Sequence, residues 1–205
     1  MKPRWLEKKK IINNYLKGMK IPKIYPITPA TQTTEELIAS LEKLNKNKLN
    51  IFLYRRKTLN KYQIKNELSL VEKVCQQDHI CLILNSFHGK ELVNKFSGFH
   101  LTNKDAKKEN RRPINKDKLL GISCHSEDDI LKAESLEPDY IFLSPIKETS
   151  SHKDLSGMGW LKFSQWTRTT NLPTYALGGL GMEDLKEAES YGAYGIAGIS
   201  NFWPN

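Results

Sequence analysis

Cysteine is scarce in this chain: there are three in 205 residues, Cys75, Cys81 and Cys124, and no CxxC pair. An odd, scattered set argues against a disulfide framework or a structural zinc site and makes the reducing cytoplasm the expected location. Cys124 beside His125 does not form a nucleophile–base pair, because neighbours on a strand point to opposite faces. Long apolar runs are missing too. The longest, near 80–84 and 140–143, are strand-sized and far short of the ~18 residues of a membrane helix. No nucleophile elbow, Walker A loop or HExxH occurs. The first strand-like segment, IYPITPATQT, lacks the GxGxxG of a doubly wound dinucleotide fold.

What is present is an ordinary globular balance, with 39% hydrophobic and 27% charged residues, which a core can be built from. The length suits one domain. Acids are outnumbered, 23 against 32 Lys and Arg, for a net charge of +9. That excess is local. Residues 1–23 carry +7, with eight basic residues and Glu7, so the rest of the chain holds only +2. A second basic stretch runs from 103 to 118. Trp5, Ile12, Leu16 and Met19 share one helical face in the first stretch, and Gly18 and Pro22 mark its end. Residues 1–22 are therefore expected to form an extra amphipathic helix docked on a domain spanning 23–205. The segment has no apolar run of a secretory signal. Zinc-finger, RNP and bZIP patterns are absent, so nucleic acid is a disfavoured partner and no membrane is expected.

Strand-like runs fall near 23–27, 50–54, 80–84, 98–101, 119–123, 140–143, 174–177 and 195–199. Helical patterns lie between them, clearest at 33–46, 60–76, 126–136 and 181–191. Thr33 or Thr34 before Glu35 and Glu36, and Ser126 before Glu127, Asp128 and Asp129, are helix-start signals. Eight strands alternating with helices predict a (β/α)8 barrel whose last helix is stunted or absent.

Barrel sites form at the C-terminal ends of the strands. The residues there are Arg55 and Lys57 after strand 2, Asn85 after strand 3, His100 in strand 4, and Ser123 and His125 after strand 5. A long loop, 144–160, follows strand 6; Gly178 and Gly179 follow strand 7; Gly198 and Ser200 follow strand 8. Glycines after strands 7 and 8 let backbone N–H groups approach a phosphate, although tight turns alone would also use them. Arg55 and Lys57 add cations at the same mouth. His125 is the candidate proton carrier, sharing a face with Ser123. His100, inside apolar GFHL, reads as structural. His152, in the long loop, is a weaker candidate, and His79 and His88 have no context.

In order along the chain, LYRRK, GFHLTNKD, GISCHS, DYIFLSPIKET, YALGGL and YGAYGIAGIS resemble the thiamine phosphate synthase superfamily, which includes thiazole tautomerases. The likeness runs from about residue 24 to 200. ETSSH followed by GMGW most resembles a synthase-like domain that some proteins carry behind a Nudix domain, a domain these 205 residues do not contain. The resemblance implies a phosphate-binding barrel, a homodimer and a phosphorylated thiazole substrate. In the synthase, a pyrimidine pyrophosphate ionises with Mg²⁺ and cations on the leaving group, and the thiazole nitrogen attacks.

The synthase pattern is QxRxK on strand 2, Asn-Asp after strand 3, a further Asp after strand 4 and TxTK in the strand-6 loop. Arg55, Lys57, Asn85, Asp105 and Thr149 match it, but Leu53 replaces the Gln, Ser86 a metal-binding Asp and His152 the loop Lys. Asp105 alone is a poor Mg²⁺ site. The departures favour a tautomerase-like proton transfer on a thiazole carboxylate phosphate. It would need no cofactor: Gly178, Gly179, Gly198 and Ser200 hold phosphate, His125 moves the proton, and Arg55, Lys57, Asn85, Ser123, Thr149 and His152 contact substrate. The synthase reaction, with Mg²⁺, is the alternative. A barrel that only binds a phosphorylated ligand for regulation is a third.

Overall fold

The computed structural model describes residues 21–46, 49–148 and 156–203. The expected N-terminal helix, Thr149 and His152 lie outside these residues. Eight parallel strands form one sheet: β1 (Ile24–Pro26), β2 (Ile51–Tyr54), β3 (Cys81–Asn85), β4 (Gly98–Leu101), β5 (Leu119–Cys124), β6 (Tyr140–Leu143), β7 (Thr174–Leu177) and β8 (Gly195–Gly198). Neighbours run in the order β1-β8-β7-β6-β5-β4-β3-β2. The circle closes through a parallel bridge between Ile27 and Leu53, supported by Thr28 N–H donating to the Leu53 carbonyl at 3.0 Å. This is the (β/α)8 barrel the alternating pattern predicts, and each strand lies within about a residue of its expected limits.

Six α-helices are described: α1 (Thr34–Lys46), α2 (Lys61–Gln77), α3 (Asn103–Ala106), α4 (Glu127–Ser135), α5 (Gly159–Thr167) and α6 (Leu185–Ser190). The start signals work as expected. Thr33 Oγ1 accepts from Glu36 N–H at 3.2 Å, while Glu36 Oε2 accepts from Thr33 N–H at 2.7 Å. Ser126 Oγ accepts from Asp129 N–H. Two helices escaped the sequence reading. α3 is a single turn, too short to show a period. α5 begins inside the stretch read as a loop, since Gly159, at φ +69, starts it without a polar cap. Among the described residues after β8, only a 3₁₀ turn follows, Ser200–Phe202. Trp203 Nε1 then donates to the Ile27 carbonyl at 2.8 Å and its ring meets Phe52 edge-on, sealing the β1–β2 seam.

Apolar burial divides into two bodies. One lies between strands and helices; the other fills the barrel, with Tyr25, Ile27, Leu53, Ile83, Tyr140, Phe142 and Tyr175 among its members. The four rings pack at centroid distances of 5.2–5.8 Å. Gly121 makes room for them: a Cβ there would lie 2.3 Å from Tyr140 Cζ and 2.4 Å from His100 Nδ1. Their hydroxyls are satisfied in place. Tyr25 and Tyr140 bond each other at 2.9 Å, and Tyr175 donates to the Pro22 carbonyl at 2.6 Å.

Candidate active site

Strand pleating sends alternate residues into the barrel, so Arg55, Asn85, His100, Ser123, His125 and Ser144 ring its upper end. His100 is fully buried beneath them. Its Nε2 meets Ser123 Oγ at 2.9 Å and its Nδ1 meets Tyr140 Oη at 3.3 Å, completing a polar chain Ser123–His100–Tyr140–Tyr25. Burial, helped by the Arg55 charge, pushes the His100 pKa down to about 3, so the ring is neutral. The structural role expected for His100 is what the contacts show.

His125 is half-buried just past β5. Its backbone N–H donates to Asp129 Oδ2 at 2.9 Å, and its Nδ1 lies 2.8 Å from the Ser144 carbonyl oxygen. A carbonyl only accepts, so Nδ1 carries the hydrogen and the neutral ring keeps its basic lone pair on Nε2. That is the tautomer a proton carrier needs.

Gly178 and Gly179 turn the chain after β7 with φ +108 and +68, values that L side chains rarely adopt. They also sit under the segment after β6. Ile146 N–H donates to the Leu177 carbonyl and Lys147 N–H to the Gly178 carbonyl, both at 3.0 Å. The close approach therefore serves packing as well as any ligand. Among the described residues, the N–H groups of Gly179, Leu180 and Ile199 have no acceptor, which leaves donors on the rim of β7 and β8. Ser200 is exposed beside them. Gly198 differs from its expected role. It faces outward, and a Cβ there would lie 2.0 Å from the Phe202 ring, so its smallness is explained by packing.

On the β2 side of the mouth Arg55 is half-buried, and no carboxylate among the described residues pairs with it. Lys57 is exposed, 6.0 Å from the centroid of the exposed Phe87 ring. Burial lowers the pKa of both, and the Arg55 charge adds to the effect on Lys57. Asn85 is buried and spends its side-chain oxygen on Phe87 N–H at 3.0 Å.

Asp105 stands after β4. Oδ2 accepts from Ser86 Oγ and Thr102 Oγ1, both at 2.7 Å, and Oδ1 from Lys108 Nζ at 2.9 Å. Burial would raise its pKa, but these donors and the Lys108 charge outweigh it and hold the carboxyl at about 2. Both oxygens are engaged, and no group of three His, Cys, Asp or Glu side chains suited to a metal occurs among the described residues. The side chains present do not fit the Mg²⁺ site of the synthase pattern.

Three side chains that the motifs passed over shape this mouth. Arg56, fully buried, makes a two-pronged ion pair with Glu67 at 3.0 and 3.1 Å. Its remaining donors reach the carbonyls of Pro29 at 2.7 Å and Gln32 at 2.5 Å. His88 Nε2 accepts Arg56 N–H at 3.0 Å, and burial with the Arg55 charge pushes its pKa down to about 4. Lys147, beside Gly179, pairs with Asp184 at 3.0 Å. Alternation could have placed Arg56 on the outer face, but nothing local names Glu67, eleven residues on, as its partner.

A family model described as thiamine monophosphate synthase matches residues 24–202. A putative thiamine-phosphate synthase 2 of Aquifex aeolicus is 31% identical over 90% of this chain and 99% of its own length. A thiamine-phosphate synthase of Methanosarcina barkeri is 26% identical over 86% of this chain and 80% of its own. Among solved structures, thiamine phosphate pyrophosphorylase from Pyrococcus furiosus superposes with a TM-score of 0.67 at 19% identity, covering 87% of this chain and 85% of that one. The Aquifex and Methanosarcina relatives carry the synthase name. The preference for isomerisation drawn from the motif departures finds no support among them. No helix among the described residues is long and apolar enough to cross a membrane.

Proposed function

Because the chain belongs to the thiamine monophosphate synthase family, we propose that it acts in thiamine biosynthesis on a thiazole phosphate seated across the barrel mouth. The observation that carries this is the pairing of open backbone donors on the β7–β8 rim with Arg55 and Lys57 on the β2 side of the mouth, neither of which has a carboxylate partner among the described residues. The first suits a phosphate monoester, and the second a further anionic group.

The relatives' names support coupling of this thiazole to a pyrimidine pyrophosphate as the reaction. In that case Arg55 and Lys57 hold the departing pyrophosphate, Ser123 presents its hydroxyl to the pyrimidine, and the β7–β8 rim aligns the thiazole nitrogen for attack. The protein incubated with both precursors would form thiamine phosphate; no product, with both precursors bound, would reject coupling.

A second reading rests on His125 and Asp105. The imidazole is pinned in the tautomer that takes a proton on Nε2, and the carboxylate is tied up by Ser86, Thr102 and Lys108. Both features suit a proton shift within a thiazole carboxylate phosphate, with Arg55 and Lys57 on the carboxylate. Solvent deuterium entering that substrate at the ring carbon would identify it. Absence of exchange alongside thiamine phosphate formation would leave coupling alone.

A further inference from the structure

The rim between β2 and β4 carries its own positive charge where the synthase pattern leaves room for an ion. Ser86 stands in the position of a second carboxylate and changes the local chemistry twice. It removes one negative charge, and it replaces an acceptor with a donor. Two carboxylates facing each other repel and call for a cation between them. A hydroxyl and a carboxylate bond directly, as Ser86 and Asp105 do at 2.7 Å. Thr102 N–H donates to Ser86 Oγ at 2.9 Å, so the hydroxyl is held from both sides. The exposed Lys108 ammonium closes the arrangement on Asp105 Oδ1 at 2.9 Å.

The charges on this rim then favour an anion with no further help. Arg55, Lys57 and Lys108 are positive and Asp105 negative, which leaves two net positive charges. Arg55 and Lys57 are close enough for one to lower the pKa of the other, so an anion between them relieves a repulsion already present. Arg55 is half-buried without a carboxylate partner among the described residues, a state that a diphosphate would complete.

We infer that the β2–β4 rim binds the diphosphate of a substrate directly through Arg55 and Lys57, with the Ser86–Asp105–Lys108 cluster standing in place of a divalent cation. This rests on the proposed function, since it takes the mouth to be the substrate site.

Calorimetric titration of the full chain with inorganic pyrophosphate, once in EDTA and once in Mg²⁺, tests it. Binding should be as tight in EDTA as in Mg²⁺, and Arg55→Ala should weaken it in both. Tightening by Mg²⁺ of about tenfold or more would overturn the inference, as would failure of pyrophosphate to bind in either buffer. Two substitutions sharpen the result. Ser86→Asp should weaken binding in EDTA and let Mg²⁺ restore it. Asp105→Asn, which keeps the shape and removes the charge, should hold or improve binding in EDTA; weaker binding there would overturn the charge argument. Titration with thiazole phosphate reads the proposed function separately. If thiazole phosphate binds and pyrophosphate needs Mg²⁺, only the inference falls; if thiazole phosphate fails to bind, the functional reading falls.

Discussion

Glu67→Gln should be among the most damaging conservative changes in this protein, although it keeps the shape of the side chain. The Glu67 carboxylate accepts four hydrogen bonds: Thr34 Oγ1 at 2.7 Å, Tyr54 Oη at 2.7 Å, Arg56 Nε at 3.0 Å and Arg56 Nη2 at 3.1 Å. An amide turns one of its two oxygens into a donor, so whichever way it is flipped one Arg56 contact becomes donor against donor, and the hydroxyl on that side must turn round and accept. The Arg56 guanidinium, 2% exposed, then lacks a counter-charge. Removing one partner of a buried pair costs about 3–5 kcal/mol, a large part of the ~5–15 kcal/mol that holds a domain folded. At this chain length the melting temperature should fall by about 6–20 °C. Urea unfolding followed by circular dichroism gives the free energy. Hydrogen exchange should quicken first at residues 28–33, because Arg56 also ties down the carbonyls of Pro29 and Gln32. Replacing both partners, Arg56→Met with Glu67→Leu, should recover much of the loss, since no lone charge remains buried. A Glu67→Gln cost below about 1 kcal/mol, or a double variant as unstable as the two single losses added, would refute the argument.

Gly121→Ala should destabilise by about 1–3 kcal/mol through overpacking against Tyr140 and His100, read from the urea midpoint. Gly179→Ala forces a side chain into φ +68 and to within 2.7 Å of Lys147 Cβ, so thiazole phosphate should bind more weakly in a calorimetric titration. His125→Ala should slow proton exchange by about 10²–10⁴-fold if proton transfer is the reaction, and unchanged exchange would remove His125 from that role. His100 and His88 have folded pKa values of about 3 and 4 against an ordinary 6.5. The unfolded chain therefore binds more protons in that window, and stability should fall as pH drops from 6.5 towards 3. His100→Gln should flatten the acid limb of a stability–pH curve; an unaltered limb would show that His100 does not govern it.

The sequence made the barrel legible because its strands are apolar runs punctuated by glycine and proline, and because α1 and α4 begin with capping side chains followed by acids. It lost α3 and α5, one too short for a period and the other started by a glycine without a cap. The site was legible only in part. Alternation along β2 and β5 placed Arg55, Ser123 and His125 at the mouth. Gly198 was drawn to the phosphate by its position after β8, whereas Phe202 packing accounts for it. Arg56, Glu67 and His88 went unread because their partners are fixed by folding, at separations that leave no local pattern. Ser86 was seen as a departure from a motif, but its bond to Asp105 needed two strands side by side.

The aromatic filling of the barrel has a kinetic consequence. Tyr25, Tyr140, Phe142 and Tyr175 are buried and plug the interior below His100, so the mouth is a blind well with one opening. Whatever settles deepest, against Ser123, must arrive before its neighbour and cannot depart while that neighbour stays. If two molecules react here, as the coupling reading has it, the stopper beneath them would impose a compulsory sequence of arrival and departure.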